Sequence, residues 1–295
     1  MTPGEASGAP VPFGDRLGQA FAAHGQLCVG IDPHAWLLAD WDLPDSAAGA
    51  EAFGRTVVEA AAGRVGIVKP QIAFFERFGS AGYAALERTL ADARSAGLLV
   101  IGDVKRGDLG TSAEAYAQAW LTPGSPLEVD AITVSAYMGV GSLDAAIEIA
   151  EAGGKGLFVL SATSNPEAAV IQRAIVADGA RAGRSVARAI LDEVGERNAA
   201  ATTGPLGSIG VVLGATLDLA VFGIDVAAAP SAALTPVLAP GFGHQGADVT
   251  NIDLLYGGYA RSVIVSESRS VLAAGPDRLA EAIVRRVAET GAARG

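Results

Sequence analysis

An eightfold alternation limits the folds open to this chain. Short apolar, often β-branched runs recur along its whole length: Leu27–Ile31, Val65–Lys69, Leu98–Asp103, Ala131–Ser135, Leu157–Leu160, Ser208–Leu213, Thr235–Leu238 and Ser262–Val265. Periodicity alone does not separate such short runs from buried helix. Their flanking Gly, Pro and Asp residues select strand. Between them lie Ala-rich stretches with helical spacing, among them Ala48–Gly63, Ser80–Gly97, Ser142–Gly153 and Pro276–Thr290. Several stop at a glycine, as helices commonly do. Strand alternating with helix builds a parallel sheet. Eight such units predict an α/β fold closed into a (β/α)8 TIM barrel, which typically takes about 250 residues. An open doubly wound sheet is the alternative, since one strand fewer would remove the argument for closure.

The chain has 295 residues, and 13–295 are assigned to a single barrel domain. Residues 1–12 (MTPGEASGAPVP) read as a disordered N-terminal tail, without the basic start or apolar stretch of a signal peptide. The stretch Asn165–Gly207 is too long for a simple crossover. It holds one helix, a second amphipathic stretch (Gly183–Ala201) and a Gly/Thr-rich linker (Ala201–Gly207). It is read as an insertion after the fifth strand, a lid or an interface element.

Charge and cysteine content narrow the function. The formal net charge is −11, which disfavours binding of nucleic acid or anionic membrane through a broad basic face. An anionic ligand must instead be held by a few local cations. The apolar segments are too short and broken to span a membrane. The single Cys28 forms no internal disulfide, fits a reducing cytoplasmic compartment and reads as a small core residue. His24, His34 and His244 are too scattered for a metal site. Trp36, Trp41 and Trp120 read as core or interface, and Glu267 as a solvated or pairing charge.

Barrel enzymes carry their active sites at the C-terminal ends of the strands. Here those ends hold Asp32, Lys69, Asp103, Lys105, Ser135, Ser164, Gln245 and Arg269, while the strand interiors are almost free of charge. The densest stretch is VIGDVKRGDLGTS, residues 100–112. Asp103 and Lys105 stand two apart, so on a strand they face the same side. Asp103 and Asp108 would hold the Lys105 ammonium protonated and aimed, which suits a proton donor or an electrostatic stabiliser. A Schiff-base role needs the neutral amine. An ion pair sealing a strand end is the bland alternative. Thr111 and Glu114 have the spacing of a capping box, which would leave Ser112 free at a helix N-terminus. Three glycines in Ala239–Ala247 and Arg269 in Ser266–Ser270 occupy the last two strand-end loops. Such loops frequently form a phosphate site. Together these residues suggest a substrate with a phosphate at one end and the Asp-Lys-Asp cluster at the other.

The stretch Asp103-Val-Lys105-Arg-Gly-Asp108 resembles the signature of the orotidine 5′-phosphate decarboxylase family, Asp-x-Lys-x-x-Asp after the third barrel strand. The likeness runs from Asp32 to Arg269, and Thr163–Pro166 (TSNP) with DVKRGD looks most like the bacterial subgroup with an extended chain. The resemblance implies decarboxylation of orotidine 5′-monophosphate to uridine 5′-monophosphate, the last step of de novo pyrimidine synthesis, without metal or cofactor. It implies that Lys105 protonates the carbon that loses carbon dioxide, and that Asp103 lies beside the departing carboxylate. Asp108 would enter the neighbouring subunit's site in a homodimer. Asp32 and Lys69 would hold the ribose hydroxyls, Ser164 the pyrimidine edge, and Gln245 and Arg269 the phosphate. The family usually has threonine nine positions after the first aspartate; here Ser112 stands there, keeping the hydroxyl for a ribose contact across subunits. Two other readings stay open. One is a metal-dependent sugar-phosphate decarboxylase or aldolase of the same barrel group, whose acidic metal ligand near the end of the second strand is Lys69 here. The other is a catalytically silent barrel that binds a nucleotide or sugar phosphate.

Overall fold

A computed structural model describes residues 9–201, 204–227 and 234–292. Eight parallel strands close into a barrel in sequence order. They are β1 (Leu27–Ile31), β2 (Ile67–Pro70), β3 (Leu99–Arg106), β4 (Ala131–Val134), β5 (Gly156–Ala162), β6 (Ile209–Leu213), β7 (Val237–Pro240) and β8 (Val263–Glu267). The closing seam pairs Cys28 with Ser266. The apolar runs of the sequence all become strands, so the barrel stands and the open sheet does not.

Both faces of these strands are buried, which is why they read as unbroken apolar runs. Within each run the phase alternates. Cys28, Ile67, Ile101, Ala131, Phe158, Val212, Leu238 and Ile264 fill the barrel interior. Their neighbours Val29, Val68, Val100, Ile132, Leu157, Val211, Val237 and Val263 pack outward under the helices. The helix Phe13–His24 closes the N-terminal end, where Phe13 lies edge-on to Phe158 with ring centroids 5.9 Å apart. Gly156 leaves the space Phe13 needs, because a Cβ there would come within 2.5 Å of its ring.

The main outer helices are Ala47–Ala61, Gly79–Ser95, Gly110–Leu121, Asp144–Ala152, Val186–Ala201 and Leu279–Ala292. The structure narrows the expected insertion. Ala187, Ile190, Leu191 and Val194 of helix Val186–Ala201 are buried in the outer core, so this is the ordinary crossover helix after β5. The extra material is the segment before it, with short helices at Pro166–Ala168, Ala169–Gln172 and Gly179–Arg181. Of the expected tail, residues 1–8 lie outside the described residues, as do residues 202–203 of the linker. Residues 9–12 have no regular structure, and a Cβ on Gly154 would meet the Val11 carbonyl oxygen at 2.6 Å.

The capping box at Thr111 does not form. The helix begins at Gly110, whose φ of 58° no β-branched residue would adopt readily, and Leu109 precedes it without a side-chain cap. Glu114 Oε1 accepts instead from Gln118 Nε2 at 2.8 Å, one turn on. Ser112 is exposed.

Candidate active site

The interior phase that is apolar deep in the barrel turns polar at its C-terminal mouth. Two residues beyond Ile67 comes Lys69, beyond Ile101 comes Asp103, beyond Ala131 comes Thr133, and beyond Ile264 comes Ser266. These side chains line a cavity of about 320 Å3, with Asp32, Gln71, Lys105, Ser164, Gln245 and Arg269 around them. Seven of the ten residues singled out in the sequence therefore meet in one place, and Asp108, Ser112 and Ser135 do not.

Asp103 is the centre of the charge cluster. Its Oδ2 accepts from Lys69 Nζ at 3.0 Å and from Gln71 Nε2 at 2.8 Å. Its Oδ1 accepts from Lys105 Nζ at 2.6 Å and from Thr133 Oγ1 at 2.8 Å. Burial raises the pKa of this carboxyl, but Lys69 and Lys105 outweigh it and hold the group well below the ordinary carboxylate range. Lys69 is as deeply buried as Asp103. Burial lowers its pKa, yet Asp103, then Asp32 and Cys28, prevail and raise it. The two ammonium groups differ in access: the Lys69 side chain is 9% exposed and the Lys105 side chain 49%. Lys69 is thus a fixed interior charge, and Lys105 is the cation that faces the cavity opening.

The strand carrying the cluster is irregular. Gly102 pairs with Ile132 and Arg106 with Val134, so four steps along β3 match two along β4. Lys105 takes a φ of 47°, uncommon for a residue with a side chain. The expected meeting of Asp103 and Lys105 occurs, but through this bulge instead of the pleat of a regular strand. Bulges of this kind re-aim a side chain next to active sites.

Gln71 and Thr133 were missed in the sequence, where Ser135 stood for the fourth strand. Both were legible by period two: Gln71 continues Ile67 and Lys69, and Thr133 continues Ala131. Ser135 instead donates its backbone N–H to the Arg106 carbonyl and lies outside the cavity. Asp108 does not flank Lys105 within the chain. Its Oδ1 accepts from Leu109 N–H at 2.8 Å, and it lines a separate crevice with Arg106 and Tyr116.

Across the cavity stand Gln245 in the loop after β7 and Arg269 in the loop after β8. Glu267 is buried, not solvated, and is held by Arg286 Nε and Ser270 Oγ, both at 2.6 Å. Arg269 is therefore not neutralised by the acid two residues before it. Among the described residues, two buried side-chain oxygens lack a hydrogen-bond partner, Asp32 Oδ1 and Ser268 Oγ, and both residues line this cavity. Cys28 is sealed in the barrel below, where burial pushes its thiol up to about 12, so it is no nucleophile. His34 packs on Phe74 with centroids 4.2 Å apart.

Comparison with known proteins places this geometry. A Salinispora arenicola protein named orotidine 5′-phosphate decarboxylase is 52% identical over 265 residues, covering 90% of this chain and 91% of its own. A Streptomyces avermitilis crystal structure described as that enzyme superposes with a TM-score of 0.90 at 48% identity, covering 99% of both chains. The Leishmania donovani OMP decarboxylase structure gives a TM-score of 0.71 at 28% identity, covering 96% of this chain and 99% of its own. The sequence pattern of the orotidine 5′-phosphate decarboxylase / HUMPS family matches residues 25–282. The chain belongs to that family.

Proposed function

We propose that this chain decarboxylates orotidine 5′-monophosphate to uridine 5′-monophosphate, the last step of de novo pyrimidine synthesis. The observation that carries the reading is the Lys69–Asp103–Lys105 array at one end of a cavity whose other end holds Gln245 and Arg269. In the reaction the bond from the ring carbon C6 to the carboxylate breaks, carbon dioxide leaves, and the electron pair stays on C6. The Lys105 ammonium lies at the open side of the array, stabilises that charge and delivers its proton to C6. Solvent then reprotonates the amine. A preorganised cation where charge develops is usually the largest single aid to such a step. No metal or cofactor takes part in this scheme.

The other roles follow the chemistry of the lining. Asp103 lies beside the departing carboxylate and holds Lys105. Asp32, with one unpartnered buried oxygen, accepts from a ribose hydroxyl, and Lys69 completes the charge chain. Ser164 reads the pyrimidine edge, and Gln245 and Arg269 bind the phosphate. The active unit is a homodimer in which Asp108 and Ser112 act in the neighbouring site. Their place outside their own cavity supports this, as do exposed Leu109, Tyr137 and Met138 in the loops after β3 and β4. A cytoplasmic location fits the substrate, and no described helix is long and apolar enough to cross a membrane.

The sugar-phosphate branch of the family is disfavoured by Lys69. Its ammonium lies 3.0 Å from Asp103, where a divalent ion would meet a charge of its own sign. The deciding assay follows the ultraviolet change as orotate becomes uracil, with and without chelator. Chelator-insensitive turnover is expected. Loss of turnover with chelator would favour the metal-dependent branch, and tight binding of uridine 5′-monophosphate without turnover would favour a silent binding barrel.

A further inference from the structure

The bulge in β3 leaves the Lys105 N–H without a carbonyl partner on β4. It donates instead to Thr133 Oγ1 at 3.0 Å. That hydroxyl in turn donates its single proton to Asp103 Oδ1 at 2.8 Å, and the same oxygen accepts from Lys105 Nζ at 2.6 Å. The direction is forced, because an ionised Asp103 has no proton to give. These three hydrogen bonds and the lysine's own side chain close a ring: Lys105 backbone, Thr133 hydroxyl, Asp103 carboxylate, Lys105 ammonium. The ring grips the lysine at both ends while its side chain, which lines the cavity, remains 49% exposed.

We infer that Thr133 is a positioning residue for the decarboxylation. It holds Lys105 in its left-handed backbone conformation and aims the ammonium through Asp103, and no other described side chain bonds to both groups. This rests on the proposed function for its effect on rate, though not for its effect on geometry. A residue that only sealed the sheet would not need a hydroxyl, since the inward phase of β4 is apolar one layer down at Ala131.

The test uses Thr133→Val, which keeps shape and removes the hydroxyl, and Thr133→Ser, which restores it. With orotidine 5′-monophosphate, Thr133→Val is expected to lower kcat about 10- to 100-fold, the range usual for a residue that orients a catalytic group. KM and the affinity for uridine 5′-monophosphate should stay within about threefold, and Thr133→Ser should recover kcat to within about threefold. Should Thr133→Val lose its native circular dichroism, Thr133→Cys carries the same test, because a thiol is a weak donor and acceptor. Unchanged kcat in the variant without the hydroxyl, or equal loss in Val and Ser variants, would overturn the inference. Amide hydrogen exchange at Lys105 reads the ring without turnover. Exchange should quicken in Thr133→Val and not in Thr133→Ser, and equal protection in all three proteins would also overturn it. A wild-type protein that is inactive but protected at Lys105 would refute the proposed function alone.

Discussion

At the scale of single residues, one acid is shared by two cations of unequal burial. Lys69 and Lys105 both bond to Asp103, but only Lys105 reaches the cavity opening. Lys105→Ala is expected to lower kcat by at least ~1000-fold, the upper part of the range for a proton-transfer group, while the protein stays folded. Steady-state kinetics with circular dichroism checks this, and unfolding of the variant would mean that the ion pair is mainly structural. Arg269 is tested by its effect on binding. Its guanidinium is left unpaired by Glu267, which is taken by Arg286. Arg269→Ala should raise KM about 10- to 100-fold, as for loss of a charged hydrogen bond, with a much smaller change in kcat. An equal loss in both parameters would place the phosphate contact in the transition state.

At the scale of elements, one sheet is apolar at one end and lines the polar cavity at the other. The interior layer at Cys28, Ile67, Ile101 and Ala131 is sealed by Phe13 and Leu17 from below, and it carries Lys69, Asp103 and Thr133 above. The two ends should therefore be separable. Phe13→Ala is expected to cost about 3–5 kcal/mol of stability in denaturant unfolding, as for loss of a buried ring, while leaving KM unchanged. A shift in KM as large as the fall in stability would show that the plug and the mouth are coupled. The sequence pattern told which elements form, but strands buried on both faces read as unbroken apolar runs and do not say which phase points inward. It did not reveal the bulge at Asp103–Lys105, because Lys105 is no glycine and nothing local marks its positive φ. The Thr111–Glu114 motif misled for a related reason: Gly110 starts the helix two residues early, so both motif residues fall inside it.

At the scale of the whole molecule, the acidic chain concentrates cations where its ligand would sit. Net charge is −11, yet Lys69, Lys105 and Arg269 share one cavity. The proposed homodimer makes a prediction at this scale. Lys105→Ala and Asp108→Ala should each be nearly inactive alone. Mixed and allowed to exchange subunits, they should recover about a quarter of wild-type activity, because half of the dimers are mixed and one of the two sites in each is intact. No recovery after exchange confirmed by mass spectrometry would mean that Asp108 acts within its own subunit or not at all.

Read alone, the sequence pointed to a barrel and to a polar rim at the strand ends, while closure over an open sheet rested on the count of eight and is shown by the pairing of β1 with β8. Alternating apolar runs and helices admit few other folds, and polar residues can interrupt a doubly buried strand only where it surfaces. It also marked Asp32, Lys69, Asp103, Lys105, Ser164, Gln245 and Arg269, which the fold gathers around one cavity. How Asp103 is shared follows from the assembled barrel. Its four donors come from β2, β3 and β4 and from Gln71 just beyond β2. Their approach depends on a slip of register between neighbouring strands, and register is a property of paired strands that no single segment encodes.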